Sequence, residues 1–278
     1  DKAIGPGQPV FIIAEAGVNH NGSVELAIRL IEESAKCGAD CVKFQTFRAD
    51  RVAIANAPKA AYQLDVTDSK ESQIDMLRKL ELPEDCYATL IETSRKNGVV
   101  FLSTPYNEED VDFLVEMGAP ALKLASIHTA EPSMLRYAAQ TGLPLILSTG
   151  MATLEEVANA VDLIRSLGNN QFVVMQCTTN YPSDISDSNI NAMETMAQTF
   201  GTAVGYSDHT ETETSAVAAV ALGACILEKH FTLDREMDGP DQSASLNQGG
   251  LETYVRAIRE TEKAMGDGIK RPASKEIP

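Results

Sequence analysis

Short apolar runs alternate with amphipathic stretches along almost the whole chain. Eight runs rich in β-branched residues predict strands: Val10–Ala16, Cys41–Thr46, Val99–Thr104, Leu122–Ser126, Pro144–Thr149, Phe172–Thr178, Thr202–Ser207 and Cys225–Phe231. The amphipathic stretches predict helices, each followed by a glycine just past its last turn: Ser23–Lys36, Pro83–Asn97, Glu108–Met117, Pro132–Thr141, Leu154–Leu167, Asn189–Phe200, Glu213–Leu222 and Leu251–Met265. This alternation favours an α/β fold of the (β/α)8 TIM-barrel type over an open doubly wound sheet.

Three segments lie outside this alternation. Residues 1–9 contain Gly5-Pro6-Gly7 and predict a short N-terminal cap over the barrel bottom. Residues 47–70 form a long insertion after the second strand, on the side where barrels carry their active sites, and we expect a lid there. The barrel domain is predicted to span residues 1–268, and residues 269–278 an extended C-terminal linker.

The net charge of −17 narrows the classes of partner. Phosphate-rich nucleic acids and anionic membrane surfaces would meet a repulsive field, so we expect no nucleic acid and no membrane as partner. No apolar run approaches the roughly 18 residues that span a bilayer, and we expect no secretory signal. The five cysteines show no CxxC spacing, which indicates reduced thiols and a cytoplasmic location.

Side chains of a barrel strand alternate between the interior and the helix layer. Lys43 and Gln45 share one parity on the second strand and are predicted to face inward, as is Lys123 on the fourth. A buried lysine requires an anion. Hydroxyl groups at other strand ends complete a plausible phosphate cradle with the two lysines: Thr104, Ser126, Ser148 and Ser207.

Two adjacent strands end in a histidine, His209 on the seventh and His230 on the eighth. Either histidine alone would more often have a structural role, but neighbouring imidazoles at a barrel mouth favour a metal pair with open positions. On the eighth strand Lys229 has the opposite parity to His230, and its side chain is expected to pack against the surrounding helices. The strand-end serines and threonines are also compatible with helix caps, and His20 with capping the first helix.

Several segments closely resemble the sialic acid synthase family, in the family's order from about residue 10 to the end of the chain. They are Phe11–Gly22, Val42-Lys43-Phe44-Gln45-Thr46, Ser148-Thr149-Gly150-Met151, Thr178-Thr179-Asn180-Tyr181-Pro182, Gly205–Thr210, Glu228–Thr232 and Gly239-Pro240-Asp241. The family includes the N-acetylneuraminate, legionaminate and pseudaminate synthases. The resemblance implies an enzyme that condenses phosphoenolpyruvate with an N-acylated, N-acetylmannosamine-like amino sugar and releases phosphate by C–O cleavage.

The resemblance also implies a role for individual residues. His209 and His230 match the ligands of a catalytic divalent ion, typically Mn²⁺, with Mg²⁺ or Co²⁺ as substitutes. Glu15, expected near this ion, is a candidate for proton management, for holding the sugar or for orienting a histidine ligand. Positions that bind phosphoenolpyruvate are matched by Lys43, Thr104, Lys123, Ser126, Ser148, Asn180 and Ser207. Positions that meet the amino sugar are matched by Glu15, Gln45, Tyr181 and Asp241. A homodimer is implied as well.

Two departures from the family pattern keep alternatives open. His128 stands where many members have a glutamate. The family pattern continues into a small antifreeze-like domain, toward which residues 269–278 would lead. The alternatives are a catalytically silent sugar-binding barrel and another phosphoenolpyruvate-dependent sugar aldol-type synthase; the latter, acting on a phosphorylated sugar, would need a second basic pocket.

Overall fold

The computed structural model describes residues 2–54, 59, 64, 67 and 71–276. Eight parallel strands form a nearly closed barrel, in the spatial order β3-β2-β1-β8-β7-β6-β5-β4. Their bounds are β1 Phe11–Gly17, β2 Cys41–Thr46, β3 Val100–Pro105, β4 Leu122–Leu124, β5 Leu145–Ser148, β6 Phe172–Cys177, β7 Ala203–Asp208 and β8 Ile226–His230. The predicted (β/α)8 barrel is confirmed.

The fourth strand is shorter than the sequence predicts. β4 ends at Leu124, and residues 126–130 turn into a 3₁₀ helix that begins at Ser126. Hydrogen-bonded ladders join seven neighbouring pairs of the described strands, and β3 packs beside β4 to complete the ring. Ser126 therefore lies on a turn above the barrel rim instead of on a strand.

Helices surround the strands and contribute the outer core. Their bounds are α1 Val24–Lys36, α2 Ala49–Val52, α3 Gln73–Arg78, α4 Tyr87–Lys96, α5 Glu108–Glu116, α6 Pro132–Gln140, α7 Leu154–Ser166, α8 Ala192–Phe200, α9 Thr214–Ala221 and α10 Gln248–Met265. Side-chain caps define several starts: Ser23 for α1, Asn107 for α5 and Thr153, in a capping box with Glu156, for α7. Within the described ranges, none of these helices is long and apolar enough to cross a membrane.

The barrel interior is layered by side-chain parity. Its lower layer is apolar and contains Phe11, Ile13, Cys41, Leu102, Ile146, Met175, Cys225 and Ile226. Two residues further along several strands the same face becomes polar, for example from Ile13 to Glu15 and from Cys41 to Lys43. Because the alternation places both layers on one axis, the apolar layer forms the floor of a polar site at the C-terminal mouth.

The structure describes parts of three further segments, namely the two ends of the chain and the stretch after β2. Lys2 pairs with Asp40, just before β2, at 2.7 Å, so the N-terminal segment lies at the strands' N-terminal ends. The predicted lid over residues 47–70 falls largely outside the described residues, although α2 occupies its start. The division into a barrel domain of residues 1–268 and a linker of residues 269–278 stays a prediction.

The sequence is compatible with His20 as the cap of α1, but His20 does not have this role in the structure. The cap is Ser23, whose hydroxyl accepts from Leu26 N–H at 3.2 Å. His20 is fully buried, and its Nδ1 accepts the Gly22 N–H at 3.0 Å, which requires a neutral imidazole. Burial lowers its pKa to about 4.

This buried histidine predicts acid sensitivity of the fold. The pKa of His20 is lower in the folded than in the unfolded chain, so the stability due to the neutral ring is lost as the pH falls from 6.5 toward about 4. We expect the free energy of unfolding to fall by about 2 kcal/mol more in the wild type than in His20→Asn between about pH 7 and pH 5. Urea unfolding at both pH values measures this difference, and equal pH dependence in the two proteins would contradict it.

Candidate active site

Four charged side chains meet inside the barrel mouth. Lys43 Nζ lies 2.6 Å from Glu15 Oε2 and 3.8 Å from Glu228 Oε2, and Lys123 Nζ lies 3.4 Å from Glu228 Oε1. Each of the four residues is at most 5% exposed. Since β1, β2, β4 and β8 each supply one of them, the fold itself brings two cations and two anions together. We call these four residues the charge cluster.

The two carboxylates of the charge cluster differ in their protonation. Burial raises the pKa of Glu15 to about 7, and the nearby Glu228 charge adds to this, while Lys43 opposes it. Burial also works against the charged form of Glu228, but Lys123 and Lys43 outweigh it and hold its pKa at about 2. Glu228 is therefore the fixed counter-ion, and Glu15 is the carboxyl that exchanges a proton near neutral pH.

Hydroxyl groups surround the charge cluster. Lys43 Nζ donates to Thr104 Oγ1 at 3.0 Å, and Lys123 Nζ donates to Ser148 Oγ at 2.7 Å. Ser207 Oγ donates to Glu228 Oε1 at 3.2 Å. Ser148 thus bonds to a lysine instead of capping α7, and the structure brings these predicted cradle residues together.

Ser126 reaches the same region from the 3₁₀ turn after β4. Its Oγ accepts the Gly150 N–H at 2.9 Å. A Cβ on Gly150 would lie 2.5 Å from Thr179 Cγ2 and 2.9 Å from Ser126 Oγ. Only glycine at position 150 allows the loops after β4, β5 and β6 to approach this closely.

A second polar group lies beside Glu15, toward β2 and β3. Gln45 Nε2 donates to Glu15 Oε1 at 3.2 Å, and Tyr106 Oη donates to Gln45 Oε1 at 3.1 Å. The amide of Gln45 is therefore oriented from both sides. Glu15 and Gln45 are two of the residues that the resemblance matches to the amino sugar.

The two histidines lie together on the β7–β8 side of the mouth. The ring centroids of His209 and His230 are 5.4 Å apart, and the Tyr181 ring lies 4.2 Å from His209 and 5.3 Å from His230. His209 Nδ1 contacts the Thr178 carbonyl oxygen at 2.6 Å, which orients that ring. Asp241 Oδ2 is 4.0 Å from His230 Nδ1.

The two histidines differ in how well their protonation suits a divalent ion. Burial works against the charged form of His209, but Cys177 outweighs it and raises the pKa of that ring. Burial lowers the pKa of His230 well below its ordinary value, and His209 adds to this, so His230 presents the neutral imidazole that metals bind. Its Nδ1 is buried without a hydrogen-bond partner among the described residues. No group of three or more His, Cys, Asp or Glu side chains in the described part of the chain is arranged to hold an ion. His209 and His230 would be the protein ligands of such an ion.

Other predicted positions differ in their surroundings. Asn180 is exposed beside Tyr181. His128 is buried, with Nδ1 2.8 Å from Glu131 Oε2 and Nε2 3.2 Å from the Pro105 carbonyl oxygen, so its ring anchors the turn after β4.

Sequence reasoning missed Glu228, Tyr106 and Cys177 as members of the site. Glu228 has the same parity as His230, and the need of two buried lysines for anions was a signal for it. Cys177 ends β6 and its thiol contacts His209 and Ser126. Burial opposes ionisation of this thiol, but His209 and Lys123 lower its pKa. A lone cysteine carries no spacing signal in the sequence.

Comparison with known proteins places the chain in a family. The model of the NeuB family matches residues 30–270. The chain is 41% identical to the N,N'-diacetyllegionaminic acid synthase of Legionella pneumophila, over 100% of this chain and 79% of that protein. It is 45% identical to the N,N'-diacetyllegionaminic acid synthase of Campylobacter jejuni, over 96% of this chain and 80% of that protein. The crystal structure of an N-acetylneuraminic acid synthetase from Leptospira borgpetersenii in complex with citrate superposes with a TM-score of 0.87 at 33% identity, covering 98% of this chain and 90% of that one.

The matched region contains seven of the eight strands and both histidines of the mouth. Family model, relatives and fold all agree, and the chain belongs to the NeuB family, the sialic acid synthase family that its motifs resemble.

Proposed function

We propose that this protein condenses phosphoenolpyruvate with an N-acylated amino sugar and water to give a nine-carbon 2-keto acid and phosphate. The charge cluster carries the proposal. Two buried lysines at one barrel mouth, ringed by hydroxyl groups, are the chemistry that a phosphate and a carboxylate require. The two legionaminic acid synthases suggest a diacetamido sugar as the acceptor to test first.

Phosphoenolpyruvate would enter a site whose charges are already balanced. Lys43 and Lys123 are paired with Glu15 and Glu228, so an incoming trianion must compete with these carboxylates. Protonation of Glu15, whose pKa is about 7, would release Lys43 for the substrate. Glu228 would stay charged and keep the lysines at their present separation.

The reaction requires that the aldehyde oxygen gain a proton and that the attacking water lose one. The enol electrons of phosphoenolpyruvate form the new C–C bond from C3 to the aldehyde carbon, and the aldehyde oxygen takes up a proton. Water then adds to C2 and releases a proton, and the C2–O bond to phosphate breaks as the ketone forms. Glu15, which holds a proton near neutral pH, is suited to supply the first proton.

His209 and His230 would hold the divalent ion, Mn²⁺ by family resemblance, with Mg²⁺ or Co²⁺ as substitutes. When bound there, the ion would act as a Lewis acid on the carbonyl group of the sugar aldehyde. Tyr181 and Asp241 border this position, and Gln45 lies beside Glu15; all three would contact the sugar. The homodimer and the cytoplasmic location stay predictions.

The alternative functions fit the site less well. A silent sugar-binding barrel would have no use for two buried lysines, which are costly to bury. A synthase for a phosphorylated sugar would need a second basic pocket. Among the described strands, the lysines on inward positions are Lys43 and Lys123, and both belong to the one charge cluster.

Isotope-labelled substrate tests the proposed reaction. We expect phosphate release from phosphoenolpyruvate in the presence of Mn²⁺ and an N-acetylmannosamine or diacetamido sugar. With ¹⁸O in the bridging C–O–P oxygen, mass spectrometry should find the label in phosphate, because the C–O bond breaks. Label retained in the keto acid, turnover only with a phosphorylated sugar, or no turnover with any sugar would each refute the proposal.

Substitution of Lys123 tests the phosphate cradle. Lys123→Met should weaken phosphoenolpyruvate binding by about 30-fold, since a hydrogen bond to a charged group contributes about 2 kcal/mol. Isothermal titration calorimetry measures this affinity. Lys96→Met removes a lysine whose side chain is 68% exposed and serves as the control, with an unchanged affinity. Equal affinities of the two variants would remove Lys123 from the cradle.

A further inference from the structure

An ion pair lies on the outer wall of the barrel, directly behind the two histidines. Asp208 and Lys229 are opposite each other in the β7–β8 ladder, and Lys229 Nζ is 3.3 Å from Asp208 Oδ2. The exposed fractions are 0% for Asp208 and 1% for Lys229. Since neighbouring side chains on a strand point to opposite faces, this pair faces the helices while His209 and His230 face the mouth.

The same pair fixes the backbone on both sides of His209. Asp208 Oδ1 accepts the Thr210 N–H at 2.9 Å and the Thr210 hydroxyl at 2.8 Å. The Lys229 ammonium donates to the Thr210 carbonyl oxygen and lies 5.5 Å from the centre of the Tyr254 ring of α10. His209 is the residue between Asp208 and Thr210, and His230 directly follows Lys229. The position of each histidine backbone therefore depends on the pair.

Stability alone does not account for a charge pair at this place. A buried ion pair is often no more stabilising than apolar side chains of the same size, because both charges lose their hydration. What an ion pair adds is a fixed distance and direction between two strands. Here it joins the last residue pair of the β7–β8 ladder, immediately beside the proposed ligands.

We propose that Asp208 and Lys229 are positioning residues that hold His209 and His230 at the separation required for one shared divalent ion. The pair touches neither substrate nor ion. It acts through the strand ends to which it is anchored. The inference rests on the proposed function, because it takes the two histidines as the ligands.

Direct Mn²⁺ binding tests this role apart from catalysis. Free Mn²⁺ in titrations of the purified protein is measured by electron paramagnetic resonance, and stability by urea unfolding. Lys229→Met should raise the Kd for Mn²⁺ about 10-fold or more, within the range seen when groups that orient metal-binding histidines are changed. It should also lower stability, because Asp208 stays buried without its partner.

The double variant Asp208→Asn/Lys229→Met separates the two effects. It removes the unpaired charge and keeps an oxygen that accepts from Thr210, so stability should recover in part while Mn²⁺ binding stays weak. Recovery of both would overturn the positioning role, since the pair would then serve charge compensation alone. An Mn²⁺ affinity within about twofold of the wild type in Lys229→Met would overturn it too.

Arg259→Met is the matched control for loss of stability. Arg259 lies at the other end of the barrel, where it bonds to the Val10 carbonyl oxygen at 2.8 Å and to Asp40 at 2.6 Å. This variant should be less stable but bind Mn²⁺ as the wild type does, and weakened binding would contradict the proposal. If the wild type itself binds no Mn²⁺, the metal part of the proposed function fails; if only the variants behave otherwise than expected, the positioning role alone fails.

Discussion

The buried charge cluster is the constraint around which the barrel mouth is built. Lys43 and Lys123 lie in the interior of the fold, where an ammonium group is stable only beside an anion. Glu15 and Glu228 provide the anions from β1 and β8. The cluster can form only when β1, β2, β4 and β8 have the correct register. The contacts that would prepare the proposed phosphate site therefore depend on closure of the barrel.

The inner and outer faces of the barrel wall carry different groups of polar residues. Its inner face at the mouth carries the charge cluster and the histidine pair, and its outer face carries the Asp208–Lys229 pair. The apolar layer below them, which includes Ile13 and Met175, closes the interior. The groups proposed to contact substrate are thus supported by groups that contact only protein, which is the arrangement a precise site requires.

The alternation of strand and helix patterns was enough to predict the fold, and the period of two along the strands predicted much of the mouth. This period placed Lys43, Gln45 and His230 on the inner face and Lys229 on the outer face, as the structure has them. It did not reveal Glu228 as the counter-ion, because a parity pattern shows orientation and not which distant strand supplies the partner. It also placed Ser126 on β4, whereas the chain turns into a 3₁₀ helix there. Local patterns do not encode the tertiary contact of Ser126 with Gly150.

We propose that the charge cluster exchanges its internal anions for the substrate, and a crystal structure with bound phosphoenolpyruvate is the sharpest test of this exchange. Substrate oxygens should lie within about 4 Å of both Lys43 Nζ and Lys123 Nζ, the limit for an ion pair. The 2.6 Å contact between Lys43 and Glu15 should be lost. Phosphoenolpyruvate bound elsewhere, with the charge cluster unchanged, would contradict the exchange.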